Sequence, residues 1–198
     1  MPGFETLVSI TQEMRGFDRP WYIAGGWAID LYLGRTTRPH SDVDMAILRR
    51  DQHALRAYLT EWDFEKVIPR PNGGLLETWH EDEWLDLPIH EIHAQRVGYF
   101  PSHLEFLLNE SSDHEWLFRK NLQVVYPLCL IGLRSEKGIP FLSPEVVLLY
   151  KAISKRPMPT NQDDFDNVLQ VLGPGQREWL RQAIAACNSE HAWLERLA

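Results

Sequence analysis

Two aspartates separated by one residue, Asp42 and Asp44, are the side chains best suited to metal chemistry. The apolar run at residues 45–48 follows them directly and predicts a buried strand. Because residues i and i+2 of a strand face the same side, we expect the two carboxylates to point together. Neighbouring carboxylates repel each other, and a divalent cation between them removes that repulsion. Oxygen ligands suit Mg²⁺ or Mn²⁺, with the remaining coordination positions left to water and phosphate oxygens.

A glycine pair, Gly25 and Gly26, precedes these aspartates and follows a short apolar run at residues 21–24. A strand, a glycine pair and a helix start together present backbone N–H groups to a phosphate, which glycine allows to approach closely. Taken alone, a glycine pair is typical of a turn, and the alternative for Asp42 and Asp44 is a turn with two solvated carboxylates. The apolar flanks and the combination of the two motifs favour a phosphate and metal site.

The motif Gly-Gly-Trp-Ala-Ile-Asp, followed by Leu-Gly-Arg-x-Thr-Arg-x-His-x-Asp-x-Asp, resembles the signature of aminoglycoside nucleotidyltransferases. These enzymes are part of the DNA polymerase beta-like nucleotidyltransferase superfamily. The resemblance is close over residues 21–48 and looser elsewhere. It implies transfer of a nucleoside monophosphate from an NTP, with ATP as the first candidate, to a hydroxyl of a small molecule. It also implies two Mg²⁺ or Mn²⁺ ions and a third metal-binding carboxylate on a later strand.

The loop before the acidic pair carries Arg35, Arg38 and His40, and the resemblance implies that it lies beside the triphosphate. Arginine suits bidentate phosphate contacts. The alternative is that these side chains pair with nearby aspartates and hold the loop, which is the role favoured for His40. Lys151 lies in a later run, Pro-Glu-x-x-Leu-Leu-x-Lys-Ala, that also resembles the family. Its amine either extends to solvent or contacts nucleotide phosphates, as the resemblance implies.

Three residues compete for the role of the third carboxylate. Glu105 is our choice, because it stands within an apolar strand, where a carboxylate is costly unless it is paired or binds metal. Glu91 is the second candidate. It ranks below Glu105 because neighbouring histidines can pair with it in the absence of metal. Asp86, which lies in an irregular stretch, is the third. His90 and His93 do not form a convincing zinc pair, because zinc needs further ligands and the cysteines lie far away in the sequence.

The composition is that of an ordinary soluble globular protein, with 44% hydrophobic residues and a net charge of −8 over 198 residues. The acidic balance disfavours a general nucleic-acid binder and is compatible with cationic small substrates. Cys129 and Cys187 show no paired spacing, which predicts a reduced, cytoplasmic setting. We expect neither an export signal nor a membrane span, because no sufficiently long apolar run occurs.

The pattern of elements predicts an α+β protein. We expect a nucleotidyltransferase fold, a mixed sheet with flanking helices, over residues 1–112, and a mainly helical domain over residues 113–198. A polar link at residues 110–115 marks the boundary. Two alternative functions share this fold. One is a non-catalytic nucleotide-binding protein, antitoxin-like or regulatory, and the other is nucleotide addition to RNA, which the acidic charge disfavours.

Overall fold

A mixed β-sheet forms the centre of the protein, described here from a computed structural model that covers residues 3–71 and 73–198. The strands in these residues are β1 Trp21–Ile23, β2 Asp44–Leu48, β3 Asp63–Arg70, β4 Gly73–Thr78, β5 Glu91–Gln95, β6 His103–Ser111, β7 Glu115–Leu117, β8 Val125–Pro127, β9 Gly132–Arg134 and β10 Pro140–Leu142. The α-helices are α1 Glu5–Glu13, α2 Gly25–Leu33, α3 Gln52–Tyr58, α4 Pro144–Ala152, α5 Pro159–Leu169, α6 Pro174–Cys187 and α7 Trp193–Leu197.

The sheet runs in the order β4-β3-β5-β6-β2-β1-β10-β9, with β7 and β8 continuing from β6. Two pairings are parallel, β2 with β6 and β1 with β10, and both lie near the centre of the sheet. The other pairings are antiparallel. This arrangement of a mixed sheet with flanking helices confirms the predicted α+β nucleotidyltransferase fold.

The elements around the glycine and aspartate motifs follow from local sequence. The helix α2 ends at Gly34, whose φ of 68° places it in the left-handed region that glycine adopts readily. The strand β2 is buried over its last four residues, as its apolar composition predicts. On β6, Leu104, Phe106 and Leu108 are buried in alternation, which places the intervening Glu105 on the other face. No helix in residues 3–71 and 73–198 is long and apolar enough to cross a lipid bilayer.

The chain after residue 112 differs in detail from the expectation of a mainly helical segment. Residues 115–142 contribute β7 to β10, and the first helix after the boundary begins only at Pro144. Moreover, β10 pairs with β1, with Phe141 in register with Ile23, so this segment completes the central sheet. Strands of three residues show too little alternation to be recognised from sequence. The division into two domains at residue 112 stays a prediction.

Candidate active site

Four acidic residues on or beside three neighbouring strands form what we call the acidic stripe: Asp42, Asp44, Glu91 and Glu105. Asp44 is the first residue of β2 and lies in register with Glu105 of β6. Residues in register on paired strands present their side chains to the same face of the sheet. Glu91 belongs to β5 on the far side of β6. Asp42 is exposed and lies in the loop before β2 rather than on the strand itself.

The electrostatics of Asp44 show that these carboxylates act on one another. Burial raises the pKa of the Asp44 carboxyl to about 7, and Glu105 adds the largest contribution of any charged neighbour. Asp42 and then Glu91 raise it further, whereas Lys151 opposes the rise. A divalent cation would offset both the lost hydration and the repulsion, and carboxylate oxygens fit Mg²⁺ or Mn²⁺. The order of contributions supports Glu105 over Glu91 as the third carboxylate.

Gly25 is packed directly against the acidic stripe. It is the first residue of α2, and its φ of 58° is one that other residues rarely adopt. A Cβ atom at this position would overlap Oδ2 of Asp44. In addition, the backbone N–H of Ala24 donates a hydrogen bond to the carbonyl of Asp44 at 2.8 Å. The glycine therefore lets the start of the helix and the first aspartate of β2 lie in contact.

Gly26 is crowded by the protein itself rather than by an open phosphate site. A Cβ atom there would overlap Nη2 of Arg38 and would lie 2.6 Å from Cε1 of His40. The packing of the protein itself therefore disfavours a side chain at Gly26. A substitution at this position would displace the loop that carries Arg35, Arg38 and His40, which we call the basic loop.

The basic loop is held by buried carboxylates. His40 Nε2 lies 2.7 Å from Oδ2 of the fully buried Asp30, and Thr37 donates a hydrogen bond from its backbone N–H to the other oxygen at 3.1 Å. This contact is the one expected of a residue that holds the loop, and binding of a nucleotide by His40 stays a prediction. The indole of Trp27 stacks near His40, with 4.2 Å between ring centroids, and donates to the carbonyl of Asp42 at 3.0 Å. The same contacts thus position the loop and Asp42.

Arg38 and Lys151 converge on a single buried acid of α5. Lys151 Nζ lies 2.8 Å from Oδ2 of Asp164, and Arg38 Nη2 lies 3.6 Å from the same oxygen. Asp164 is only 1% exposed, so its charge is compensated chiefly by these two cations. Arg35, in contrast, is exposed, and the structure does not bring it to this cluster. Its predicted contact with a nucleotide stays a prediction.

A cavity of about 310 Å³ joins the acidic stripe to basic residues from the second half of the chain. Gly25, Asp44 and Lys151 line it, so three of the predicted site residues share one cavity. Four cations line the same space, and we call them the basic wall: Arg119, Lys120, Lys151 and Arg156. A cavity that brings an acidic and a basic group of residues together suits a ligand that carries phosphates alongside divalent cations.

Arg119 and Lys120 were not predicted as site residues. They form a turn directly after β7, and their adjacency in sequence indicated only a basic pair. Burial lowers the pKa of Lys120 to about 8, and the charges of Arg119 and Lys155 contribute in the same direction. Burial also lowers the pKa of Arg119, whose guanidinium lies 5.6 Å from the centre of the Tyr150 ring. Partly desolvated cations of this kind gain by contacting an anion.

A second cavity of about 310 Å³ adjoins Asp42. Asp42 and His40 line it, together with His103 and residues 100–102. Asp42 lines this cavity and Asp44 lines the first one, and the charge of Asp42 still raises the pKa of Asp44.

Comparisons with known proteins match the segment that carries the glycine and aspartate motifs. The profile of the aminoglycoside-2''-adenylyltransferase family matches residues 6–71, the part of the chain that carries both glycines and both aspartates. The chain is similar to aminoglycoside nucleotidyltransferases. No curated protein sequence matches it significantly.

Solved structures resemble the whole chain. The crystal structure of ANT(2'')-Ia in complex with adenylyl-2''-tobramycin is 18% identical, covers 97% of this chain and 100% of its own, and has a TM-score of 0.56. The solution structure of the same antibiotic-resistance factor is 22% identical over 96% of this chain and 93% of its own, also with a TM-score of 0.56. The lincomycin-bound lincosamide adenylyltransferase LnuA is 16% identical over 85% of this chain and 97% of its own, with a TM-score of 0.55.

At these identities the structural matches show a shared fold. Together with the family match, they support the prediction of an adenylyltransferase-like enzyme.

Proposed function

We propose that this protein is a metal-dependent nucleotidyltransferase that transfers a nucleoside monophosphate from an NTP, with ATP as the first candidate donor, to a hydroxyl of a small molecule. The observation that carries this proposal is the register of Asp44 with Glu105 beside a cavity that the basic wall also lines. The acceptor would be aminoglycoside-like, that is, a polyhydroxylated molecule bearing ammonium groups. Such a cation suits a protein with a net charge of −8.

The acidic stripe supplies the residues that would hold the metal ions. Asp42 and Asp44 would bind the ion beside the triphosphate, and Glu105 would join them to bind a second ion on the acceptor side. Bound divalent ions stabilise the attacking and leaving oxygens of an in-line displacement. The packing of Gly25 against Asp44 holds the start of α2 beside these carboxylates, where its backbone N–H groups can bind phosphate.

The basic wall would bind the triphosphate and receive the developing charge on the leaving pyrophosphate. Lys151 is held for this role by Asp164, whereas Lys120 and Arg119 are oriented by their own local contacts. Lys120 Nζ donates to the carbonyl of Ile153 at 2.8 Å, which leaves its other two protons for a phosphate oxygen. These residues therefore contribute charge in fixed positions, as phosphoryl transfer requires.

The transfer forms a bond between the acceptor oxygen and the α-phosphorus and breaks the bond to pyrophosphate. The acceptor hydroxyl must lose its proton, and Glu105 or Glu91 would accept it. Glu105 lies on the strand paired with that of Asp44 and Glu91 on the next strand beyond it, and both raise the pKa of Asp44. Hence one stretch of sheet can hold the metal ions and the proton acceptor together.

A screen for pyrophosphate release tests the proposal directly. The purified protein is incubated with each NTP and Mg²⁺ or Mn²⁺, in the presence of aminoglycosides, lincosamides and simple polyols. We expect release that depends on the acceptor and on metal, together with a nucleotidylated product in mass spectra. Binding of NTP without any product across this panel would instead favour the non-catalytic, regulatory alternative.

A further inference from the structure

Two histidines extend the acidic stripe, and the proposed reaction leaves them without a role. His93 of β5 lies in register with Glu105 of β6, and His103 lies two residues before Glu105 on the same strand. All three side chains therefore lie on one face of the sheet. Their potential ligand atoms lie within 4.8 Å of one another. This cluster combines two imidazoles with a carboxylate, unlike the all-oxygen set of Asp42 and Asp44.

The distances within the cluster are close to those of a metal centre. His103 Nε2 lies 3.4 Å from Oε1 of Glu105, and the two imidazole rings are perpendicular with 4.9 Å between their centroids. Ligand atoms about 2.0–2.1 Å from a tetrahedral ion are separated from each other by roughly 3.3 Å. The pair of His103 and Glu105 already has this separation. A ligand atom of His93 lies within 4.8 Å of both, so His93 is near enough to be the third ligand.

An outer partner and an access route are also present. His93 Nε2 lies 2.8 Å from Oε1 of Glu91, a contact of the kind that fixes the orientation of a metal-binding imidazole. The side chains of His93, His103 and Glu105 are 17%, 36% and 22% exposed, so an ion can reach them from solvent. The simpler explanation is two separate His–Glu pairs. It accounts for each contact separately, whereas a shared metal ion accounts for all three potential ligand groups lying together.

We propose that His93, His103 and Glu105 bind a divalent transition-metal ion such as Zn²⁺ or Co²⁺, with a fourth position open to water. Imidazole nitrogen favours these ions over Mg²⁺, which prefers oxygen ligands. Glu91 acts as the outer partner that orients His93. The site shares Glu105 with the proposed nucleotidyl transfer, but its existence does not depend on that activity.

The test measures Zn²⁺ binding by calorimetry and Co²⁺ binding by visible absorption, using untagged full-length protein with saturating Mg²⁺ throughout. The main variant is His93→Gln with His103→Gln. The matched control is His80→Gln with His114→Gln, which replaces two exposed histidines outside the cluster. A second comparison is Asp42→Asn, which removes an oxygen ligand and leaves both imidazoles. Circular dichroism and thermal melting check that each variant folds.

We expect the His93/His103 variant to bind Zn²⁺ at least about tenfold more weakly and to lose the Co²⁺ absorption band, because even outer partners of metal ligands contribute 10–100-fold to affinity. The His80/His114 control and Asp42→Asn should keep Zn²⁺ binding and the Co²⁺ band. Equal Zn²⁺ affinity in the wild type and the His93/His103 variant overturns the proposal. Loss of Zn²⁺ in Asp42→Asn but not in the histidine variant overturns it as well.

These outcomes are independent of the proposed enzymatic activity. A protein that binds Zn²⁺ through both histidines but transfers no nucleotide would support this site and contradict the proposed function. A protein that transfers nucleotide but binds Zn²⁺ equally well without the two histidines would support the proposed function and contradict this site.

Discussion

The acidic stripe and the basic wall line or adjoin the same cavity, yet they are built in opposite ways. The stripe comes from paired strands, so that the strand register brings Asp44 and Glu105 together. The wall comes from a turn, one helix and a linker, and its cations meet only through tertiary packing. In both regions, burial and like charges shift a pKa toward the neutral form, upward for Asp44 and downward for Lys120. In the proposed function, each region gains by binding a ligand of opposite charge, metal in one case and phosphate in the other.

The largest effect on metal binding and transfer should come from removing the carboxylates of Asp42 and Asp44. We expect Asp42→Asn with Asp44→Asn to abolish Mn²⁺ binding in calorimetry and to lower transfer at least about a hundredfold, because these oxygens are the proposed ligands. Asp82→Asn with Asp113→Asn, which changes two exposed aspartates, is the matched control. Unchanged Mn²⁺ affinity in the Asp42/Asp44 variant would show that the stripe does not bind metal.

A second experiment separates the two glutamates of the stripe. Glu105→Gln should lose most nucleotidyl transfer but keep NTP binding, since Asp42 and Asp44 still hold the ion beside the triphosphate. Glu91→Gln should be milder, because Glu91 contributes less to the charge around Asp44. The rate constant for transfer and the dissociation constant for NTP are measured for both variants. The reverse order of damage would assign the third carboxylate to Glu91.

The contact between α2 and the stripe can be tested at the glycine pair. Gly25→Ala should cost about 1–2 kcal/mol of unfolding free energy, because its φ of 58° is unfavourable for other residues, and should weaken NTP binding. Gly26→Ala should cost less, since its φ is not positive, although the new Cβ has to displace the end of Arg38 and the ring of His40. Urea denaturation and nucleotide titration of the two variants give the comparison. Equal stability of both variants would mean that the close packing at Gly25 is unimportant.

The basic wall predicts a pH dependence of nucleotide binding. Lys120 has a pKa lowered to about 8, so it loses its charge as the pH rises from 7 to 9. We expect NTP affinity to fall by up to about tenfold over that range, the value of one hydrogen bond to a charged group. Lys120→Arg should flatten the profile, because arginine stays charged. An unchanged pH profile in Lys120→Arg would exclude Lys120 from the phosphate site.

The smallest effect concerns the stability of the metal-free protein. Since the pKa of Asp44 is raised to about 7, the folded state keeps this proton longer than the unfolded state does. The resulting stabilisation is fully present below about pH 4 and is lost as the pH rises toward 7. Asp44→Asn should therefore raise the melting temperature by a few degrees at pH 8 and change it little below pH 4. If Asp44→Asn melts at a lower temperature than the wild type at pH 8, other groups already compensate the repulsion between Asp44 and its acidic neighbours.

Most of the residues proposed for the site from sequence lie within one short segment, with Glu105 and Lys151 as later additions. Gly25, Asp42 and Asp44 are near each other in sequence, and the alternation of a strand with glycines at its boundary is a local pattern. The choice of Glu105 required only that a carboxylate be flanked by buried apolar residues, which its strand provides. Local patterns of this kind survive in the structure because the strands and α2 form where propensity and burial agree.

The rest of the site depends on long-range register and packing. His103 meets His93 only because β5 and β6 pair in a particular register, which neither strand specifies by itself. The ion pair of Arg38 with Asp164 joins a loop near the start of the chain to a helix near its end. Arg119 and Lys120 follow a strand of three residues, too short to place them in advance. No local pattern predicts such contacts.

The parallel pairing of β1 with β10 affects when the central sheet can be completed during synthesis of the chain. Strand β1 contains residues 21–23, but its neighbour β10 ends only at Leu142, and the cavity also needs Lys151. Until that length of chain has left the ribosome, β1 is an open sheet edge with unpaired backbone donors and acceptors. Nascent chains must therefore pass through an aggregation-prone stage, during which chaperones have their main opportunity to bind. Incomplete chains that lack β10 would expose the same edge permanently.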